Sequence, residues 1–288
     1  MNLQNIPRDN KVVKAAFRPK LDAFLHFDFP NIELKLLAFY LEKIGHPSMA
    51  QVFRDGADLH IETAAGIFNF PAEELARRHA AGKGDDPSEV PEWLRYSLEK
   101  EGSMRQVAKR VNFSIVYGGG VGTLIEQSIV KDAKSGMALL REYHGTWPGI
   151  GWQTKRKSAD NGTLSWWLEK RLKERGYFTT LWGRHLHPRS SHVSINCLCQ
   201  GGAADLMKES LIKIHRYLTA YHMQSHLVNV VHDDVMLDCT LEELSTLLEV
   251  VPYLMTHYEI NSVVPIRPEP DISWTTWAEK EPYVEGIS

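Results

Sequence analysis

Acidic residues stand at the predicted ends of short strands in two distant parts of the chain. Asp233 and Asp234 lie between the apolar segments 230–231 and 235–237, a pattern that predicts a β-hairpin with carboxylates at its tip. Asp28 ends a further apolar run that begins at Ala23. If these strands pair, Asp28 and Asp233 meet, and two converging carboxylates are unfavourable at neutral pH unless a cation lies between them. Oxygen ligands suit Mg²⁺, so the sequence predicts a magnesium site.

A basic and aromatic stripe forms the second candidate site. Arg105, Lys109, Phe113 and Tyr117 recur at every fourth position of a helix-length segment that ends at glycines. On a helix they drift only about 40° per step, so they share one face. Cations that neutralise phosphates, followed by rings that stack on bases, would suit a nucleotide. The alternative is the solvated basic face of an ordinary amphipathic helix.

The elements that must position these residues are both helices and strands, so the predicted fold class is α+β. The sequence patterns predict a strand at 23–28, a helix at 31–44, mostly helical structure at 58–130 with an exposed loop at 81–88, helices broken at 148–149 within 131–176, a hairpin near 177–184, a long helix at about 194–221, a last helix at 240–260 and an edge segment near Val264.

Composition favours a globular protein, with 43% hydrophobic and 24% charged residues among 288. No apolar run approaches the roughly 20 residues that span a bilayer, and the chain does not begin like a signal peptide. We therefore expect a cytoplasmic location without membrane contact. The formal charge of −3 argues mildly against nucleic acid binding. Two basic segments, 153–157 and 170–175, favour such binding or are solvated helix faces, with Trp166 and Trp167 between them.

Three motifs, in the same order, resemble those of family A DNA polymerases, the bacterial polymerase I class. Asp28 to Leu34 resembles motif A, Arg105 to Gly118 resembles motif B, and Val231 to Asp234 resembles motif C. Further stretches of the chain also resemble the family, at 2–7, 58–64, 195–205 and around Trp274. The resemblance covers nearly the whole chain, and seven ordered matches are far more specific than two adjacent acids.

The resemblance implies the right-hand polymerase fold, in which an antiparallel sheet with packed helices forms the palm and helical fingers are inserted into it. Residues 1–57 and 177–288 would form the palm, and residues 58–176 the fingers and connecting helices. Thumb and exonuclease domains are expected to be absent, as in a reduced or split polymerase of phage type that lacks proofreading. Two alternatives stay open: a separate polypeptide that carries the thumb or the 3′–5′ exonuclease, and no thumb at all.

The resemblance further implies that dNMP is added to a primer 3′ end by two-metal phosphoryl transfer, with release of pyrophosphate. The partners would be primer–template DNA and dNTPs, and the cofactor two Mg²⁺ ions, for which Mn²⁺ could substitute. Implied metal ligands are Asp28, Asp233 and the backbone carbonyl of Phe29, with Asp28, Asp233 and Lys109 as catalytic residues. Implied dNTP contacts are Arg105, Lys109, Phe113, Tyr117, His60, Glu33 and Asn31. Implied primer or template contacts are Asn196, Gln200, His232, Asp234 and Arg184.

Some positions depart from the family pattern. Phe29-Pro30-Asn31 replaces the usual Tyr-Ser-Gln, Asp234 replaces a Glu, and His192 stands where an Arg near the primer is common. Two alternative functions remain, an inactive DNA-binding accessory subunit that keeps the fold and an enzyme similar to single-subunit RNA polymerases. Glu33 and Phe113 resemble the DNA enzymes, and the joint presence of Asp28, Asp233, Arg105 and Lys109 argues against an inactive subunit.

Overall fold

The computed structural model describes residue 6 and residues 10–151 and 162–283. The basic segment 153–157 lies outside the described residues, as does the segment 2–7 apart from residue 6. The helices within the described ranges are α1 (Lys11–Lys14), α2 (Ile32–Lys43), α3 (Ser48–Arg54), α4 (Leu59–Phe68), α5 (Ala72–Ala80), α6 (Glu92–Glu101), α7 (Met104–Val116), α8 (Val121–Glu126), α9 (Ala133–Thr146), α10 (Leu164–Arg175), α11 (Ser194–Ala220), α12 (Leu241–Leu254) and α13 (Tyr258–Asn261).

Strands form two antiparallel sheets. In chain order they are β1 (Ala23–Asp28), β2 (Phe178–Thr179), β3 (His185–Leu186), β4 (His226–Val231), β5 (Asp234–Cys239), β6 (Glu269–Ser273) and β7 (Glu281–Pro282). The larger sheet has the order β4-β5-β1-β6-β7, and β2 pairs only with β3 among the described residues. The predicted α+β class, an antiparallel sheet with helices, is confirmed.

The chain divides into two compact units. The sheet unit comprises residues 1–32, 203–262 and 266–288, and it contains the larger sheet. The helical unit comprises residues 33–202 and 263–265, and it contains α3 to α10 and the β2–β3 hairpin. The chain passes from the sheet unit to the helical unit after residue 32 and returns after residue 202. The sequence-based division instead placed the boundaries between palm and fingers after residues 57 and 176. Those boundaries stay a prediction.

Strand β1 is the centre of the larger sheet because almost its entire length is apolar. An uninterrupted apolar run suits a strand that is covered on both faces, unlike the alternating pattern of a half-exposed strand. Accordingly, Phe24, Leu25 and Phe27 are all buried. β1 pairs with β5 on one side and with β6 on the other, so that Phe24 lies opposite Asp238 and Ser273. This register carries the last residue of β1, Asp28, to the tip of the β4–β5 hairpin.

Several predicted elements match the structure closely, and two do not. The strand at 23–28, the helix at 31–44, the hairpin around Asp233 and the long helix from Ser194 are confirmed within two residues. The single helix predicted at 240–260 is wrong: α12 ends at Leu254 and α13 begins at Tyr258. Pro252 lacks the amide hydrogen that continues a helix, and Thr256 N instead closes a tight turn onto Tyr253 O, at 3.2 Å.

The edge segment predicted near Val264 is also wrong. The strand is β6, which begins at Glu269 and lies between β1 and β7 rather than at an edge. Pro265 and Pro268 precede it, and neither can donate a hydrogen bond to a neighbouring strand, so pairing starts only after them. None of the helices in the described ranges is long and apolar enough to cross a membrane.

The predicted loop at 81–88 is mostly exposed, but one residue anchors it. The Asp85 carboxylate is nearly buried, with 4% of the side chain exposed, and it accepts a hydrogen bond from the backbone amide of Met104 at 2.7 Å. Arg78 lies 3.5 Å from the same side chain. Since Met104 is the first residue of α7, the loop contributes to fixing the start of the helix that carries the basic and aromatic stripe.

Candidate active site

Sheet pairing brings the predicted acids together at one point of the sheet unit. Asp28 lies opposite Asp234 in the β1–β5 register, and the Phe29 amide donates to the Asp233 carbonyl across 3.3 Å. The carboxyl groups of Asp28 and Asp233 are themselves hydrogen bonded to each other. The expected meeting of two carboxylates from different strands is therefore present in the structure.

Unusual backbone conformations flank these acids. Asn31 and His232 both have positive φ, 57° in each case. The left-handed region costs a residue with a β-carbon roughly 1–2 kcal/mol, and Asn tolerates it better than most. His232 adopts it in the tight turn between β4 and β5, immediately before Asp233. Strained conformations of this kind cluster at binding and catalytic sites.

The two acids nearest the sheet differ in charge environment. Burial raises the pKa of Asp28, and the neighbouring carboxylates of Asp234 and Asp271 add to the increase, while Lys280 and a hydrogen bond from Asp233 oppose it. Burial would also raise the pKa of Asp234, but His26 and Lys280 outweigh it and hold that pKa below its usual value. Of these two acids, Asp28 is therefore the one whose charged form a bound cation would stabilise more.

His26 and Lys280 are members of this cluster that sequence reasoning missed. Lys280 Nζ lies 3.0 Å from Asp234 Oδ2 and 2.9 Å from Asp271 Oδ2. His26 Nδ1 lies 3.3 Å from the same Asp234 oxygen, and its Nε2 lies 3.4 Å from Ser273 Oγ. A histidine inside an otherwise apolar strand was a usable signal for His26. The sequence around Lys280 gave no such signal, because the contact between Lys280 and Asp234 depends on how the C-terminal part of the chain folds.

The residues present fit a magnesium site in which substrate and water complete the ligand shell. Within the described ranges, no group of three or more His, Cys, Asp or Glu side chains could hold a metal ion by itself. Mg²⁺ sites in polymerases characteristically use one or two carboxylates together with substrate phosphates and waters. The carboxyl groups of Asp28 and Asp233, which are hydrogen bonded to each other, supply two carboxylates of this kind.

Helix α7 presents the basic and aromatic stripe within the helical unit. It starts at the N-cap Ser103, whose hydroxyl accepts from the Gln106 amide at 3.2 Å. The rings of Phe113 and Tyr117 are stacked, with centroids 6.2 Å apart, and Tyr117 is 44% exposed. Gly118 follows with φ +80°, and a β-carbon at this position would lie 2.8 Å from the His192 carbonyl oxygen. A glycine is therefore required directly after Tyr117.

Arg105 is held by an internal partner that the sequence analysis missed. Its Nε and Nη2 lie 2.8 Å and 2.6 Å from Asp58 Oδ2. Asp58 is also the N-cap of α4, where its Oδ1 accepts from the amides of His60 and Ile61. Burial would raise the pKa of Asp58, but the Arg105 guanidinium and these amides hold it below its usual value. By contrast, the Lys109 ammonium has no ion-pair partner among the residues that the structure describes.

The remaining predicted site residues occupy both units. In the helical unit, Arg184 Nη2 donates to the Gly201 carbonyl at 2.6 Å, Gln200 is exposed, and Asn196 is half-buried with no partner in the described chain for its Oδ1. Burial raises the pKa of the Cys199 thiol on α11, and the Glu33 carboxylate adds to the shift. The functional roles of these residues stay predictions.

The basic segment 170–175 is partly engaged by its own neighbours. Lys170 Nζ lies 5.2 Å from the ring centroid of Trp166, and the Arg171 guanidinium carbon lies 5.0 Å from that of Trp167. Lys173 pairs with Glu169 at 2.6 Å. These contacts suit an exposed helix face as well as a template-binding surface, so both interpretations of this segment stay open.

The fold and the paired acids define a polymerase-type palm, and comparison with known proteins identifies the family. The model for DNA polymerase family A matches residues 1–81 and 92–279, and the chain belongs to that family. The interruption coincides with part of the loop region that precedes α6. Members of the family generally use divalent metal ions.

Similar proteins include several bacterial DNA polymerases I. The chain is 28% identical over 272 residues to the Geobacillus stearothermophilus protein, covering 88% of this chain and 26% of that one. It is 29% identical over 289 residues to the protein of Lactococcus lactis subsp. cremoris, covering 96% and 29%. The chain therefore spans under a third of the length of these relatives.

A solved structure has a similar fold. It is the POL domain of Pol1 from M. smegmatis in complex with DNA primer–template and dNTP, with a TM-score of 0.71 and 18% sequence identity. The match covers 97% of this chain and 45% of that one. This likeness supports the fold of the chain, and the family assignment rests on the sequence match.

Proposed function

We propose that the chain adds dNMP to a primer 3′ end under the direction of a template and releases pyrophosphate. The observation that carries this proposal is the convergence of Asp28 and Asp233 at the tip of paired strands, in a chain that belongs to DNA polymerase family A. The partners are primer–template DNA and dNTPs, both of which are present in the M. smegmatis structure of similar fold.

Asp28 and Asp233, with the backbone carbonyl of Phe29, would hold two Mg²⁺ ions, for which Mn²⁺ could substitute. When bound, the ions lower the pKa of the attacking 3′ hydroxyl and neutralise charge on the triphosphate. Asp28 and Asp233 suit this task because their carboxyl groups come from different strands and are close enough to be hydrogen bonded to each other. Asp234 is paired with His26 and Lys280, and its expected contact with primer or template stays a prediction.

Arg105, Lys109 and His60 would bind the triphosphate. Arg105 can do so while it stays on Asp58, because Asp58 takes the Nε and Nη2 positions of the guanidinium and a planar guanidinium has further N–H groups to donate. Lys109 would also transfer its proton to the departing pyrophosphate. Its lack of an ion-pair partner in the described residues suits this role, since no internal carboxylate competes for the ammonium.

Aromatic and polar residues would position the base pair and the primer end. The stacked rings of Phe113 and Tyr117 would form the wall beside the new base pair. Glu33 and Asn31 would lie beside the sugar of the dNTP. Primer or template contacts are assigned to Asn196, Gln200, His232, Asp234 and Arg184. The absence of proofreading, and a thumb or exonuclease on a separate polypeptide, stay predictions.

Primer extension by the purified chain tests the proposal, with Mg²⁺ present and dNTPs supplied. Asp28→Asn and Asp233→Asn each remove metal-bound charge with little change in volume, so we expect extension to fall by far more than tenfold while the melting temperature changes little. A tenfold loss corresponds to roughly 1.4 kcal/mol of transition-state stabilisation, and an acid whose variant loses less than this is not a ligand. Glu269→Gln is the matched control, since Glu269 is an exposed carboxylate opposite Asp28 in the β1–β6 register.

The same assay separates the alternative functions. Binding of primer–template without any extension would favour an inactive accessory subunit. Preference for rNTPs over dNTPs would favour an enzyme of the RNA polymerase type. Single-turnover rates and thermal melting, measured on the same preparations, distinguish a loss of chemistry from a loss of folding.

A further inference from the structure

A chain of buried hydrogen bonds in the helical unit ends at His60. Trp147 Nε1 donates to Thr63 Oγ1 at 3.1 Å, and Thr63 Oγ1 donates to the Leu59 carbonyl at 2.7 Å. Asn112 Nδ2 lies 3.0 Å from Thr63 Oγ1 and 3.0 Å from His60 Nδ1. Thr63 and Asn112 are fully buried, at 0% exposure, so solvent cannot replace any partner in this chain.

The direction of each hydrogen bond follows from the Trp147 indole, which is the first donor of the chain. An indole N–H can only donate, and a hydroxyl has one hydrogen and accepts through its lone pairs. The single Thr63 hydrogen goes to the Leu59 carbonyl, the shorter of its two possible acceptors at 2.7 Å against 3.3 Å for Asn112 Oδ1. Thr63 therefore accepts from both Trp147 and Asn112. This orients the Asn112 amide with its NH₂ group toward Thr63 and toward His60.

We infer that Asn112 fixes His60 as the neutral tautomer protonated on Nε2, so that the imidazole offers one N–H donor to an anionic phosphate oxygen. An Asn NH₂ group has two hydrogens, one for Thr63 and one for His60 Nδ1. A nitrogen that accepts a hydrogen bond carries no hydrogen, so the ring hydrogen of the neutral form is on Nε2. Asn112 is thus a positioning residue. That the phosphate oxygen belongs to a triphosphate rests on the proposed function.

The charged groups around His60 explain why a neutral donor is useful there. Burial lowers the pKa of His60 to about 4. Asp58 opposes this decrease, and Arg105 and Lys109 add to it. A third cation beside Arg105 and Lys109 would be repelled, whereas a neutral N–H still binds a phosphate oxygen. The centroid of the Phe113 ring lies 5.9 Å from that of the imidazole.

Nitrogen-15 NMR of the histidine side chains in the free protein tests the tautomer without any measurement of activity. The chain has 13 histidines, and His60→Gln identifies the signal of His60 by its loss. We expect the pattern of an Nε2–H ring at neutral pH. Asn112→Asp replaces the amide donor by an acceptor, so we expect the hydrogen on Nδ1 in that variant. A wild-type ring protonated on Nδ1, or protonated on both nitrogens, would overturn the inference whatever the variants do.

Kinetics test the ligand separately. His60→Ala removes the donor, and we expect KM for dNTP to rise roughly tenfold to a hundredfold, the usual worth of a hydrogen bond to a charged group. His60→Gln restores an N–H donor and should recover part of the loss, whereas Asn112→Asp should lose affinity even though His60 is present. If the NMR shows an Nε2–H ring but His60→Ala leaves KM for dNTP unchanged, the role of His60 in binding dNTP is refuted. The assignment of the tautomer is not affected by that result.

Discussion

Lys280 is expected to stabilise the fold through the acids around it, and Lys280→Met measures this. The ammonium lies 3.0 Å from Asp234 and 2.9 Å from Asp271, and the three side chains are only 28%, 16% and 23% exposed. Breaking a fully buried ion pair costs about 3–5 kcal/mol because the partner charge stays unpaired. Partial exposure lets water replace some of the lost contact, so we expect a loss of about 2 kcal/mol in the free energy of unfolding.

The pH dependence gives a second, independent test. The pKa of Asp234 is lowered in the fold, so its contribution is present above the unfolded pKa, near 4, and is lost as the pH falls through the folded pKa. The pKa of Lys280 is raised despite burial, because Asp234 and Asp271 outweigh it. Its contribution is present below the unfolded pKa, near 10.4, and is lost as the pH rises through the folded value. The difference between wild type and Lys280→Met should therefore be largest between these limits and shrink at both extremes.

Urea denaturation followed by tryptophan fluorescence measures the effect, since Trp274 and Trp277 belong to the sheet unit. Lys173→Met is the matched control. Lys173 also pairs with a carboxylate, at 2.6 Å, but its side chain is 65% exposed and that of Glu169 is 43% exposed. Exposed pairs contribute about 0.2–1 kcal/mol at most. If Lys280→Met costs no more than Lys173→Met, or costs the same at pH 3 as at pH 7, the argument from partial burial is wrong.

Three further variants test the nucleotide site and the end of α7. Glu33→Ala should admit rNTPs more readily if Glu33 covers the position of a ribose 2′ hydroxyl, and unchanged competition between rNTP and dNTP would remove it from the sugar pocket. Phe113→Tyr should improve incorporation of dideoxynucleotides, because the phenol can replace the missing sugar hydroxyl, and gel-based termination assays would show it. Gly118→Ala should lower the free energy of unfolding by about 1–3 kcal/mol, since φ is +80° and the new carbon would lie 2.8 Å from the His192 carbonyl oxygen; a melting temperature equal to wild type would contradict this.

Periodicity and motif order were sufficient to predict the main elements, and the reason is local. The apolar run from Ala23, the turn residues at Asp233 and the four-residue repeat from Arg105 to Tyr117 each specify one element by themselves. The errors arose where two local signals conflicted. Pro252 did not prevent a helix but ended it within a few residues, and the prolines before Glu269 delayed the last long strand.

Contacts between distant residues were beyond sequence reasoning. Asp58 was assigned only to a family segment, yet it holds the guanidinium of Arg105, 47 positions away. Lys280 reaches Asp234 from 46 positions away. Asn112 stood inside the family motif without a separate role, and only the distances to His60 and Thr63 reveal what it does. Such pairs depend on how helices and strands pack, which no periodic pattern encodes.

Several polar residues of the candidate site are already paired within the fold. Arg105 has Asp58, and Asp234 has both His26 and Lys280, so these side chains keep a fixed position without any ligand. Asp28 and Asp233 are instead hydrogen bonded to each other, and burial raises the pKa of Asp28 although Lys280 opposes the shift. Two carboxyl groups this close are stable only with a proton or a cation between them. In the proposed function, a metal ion would take the place of that proton.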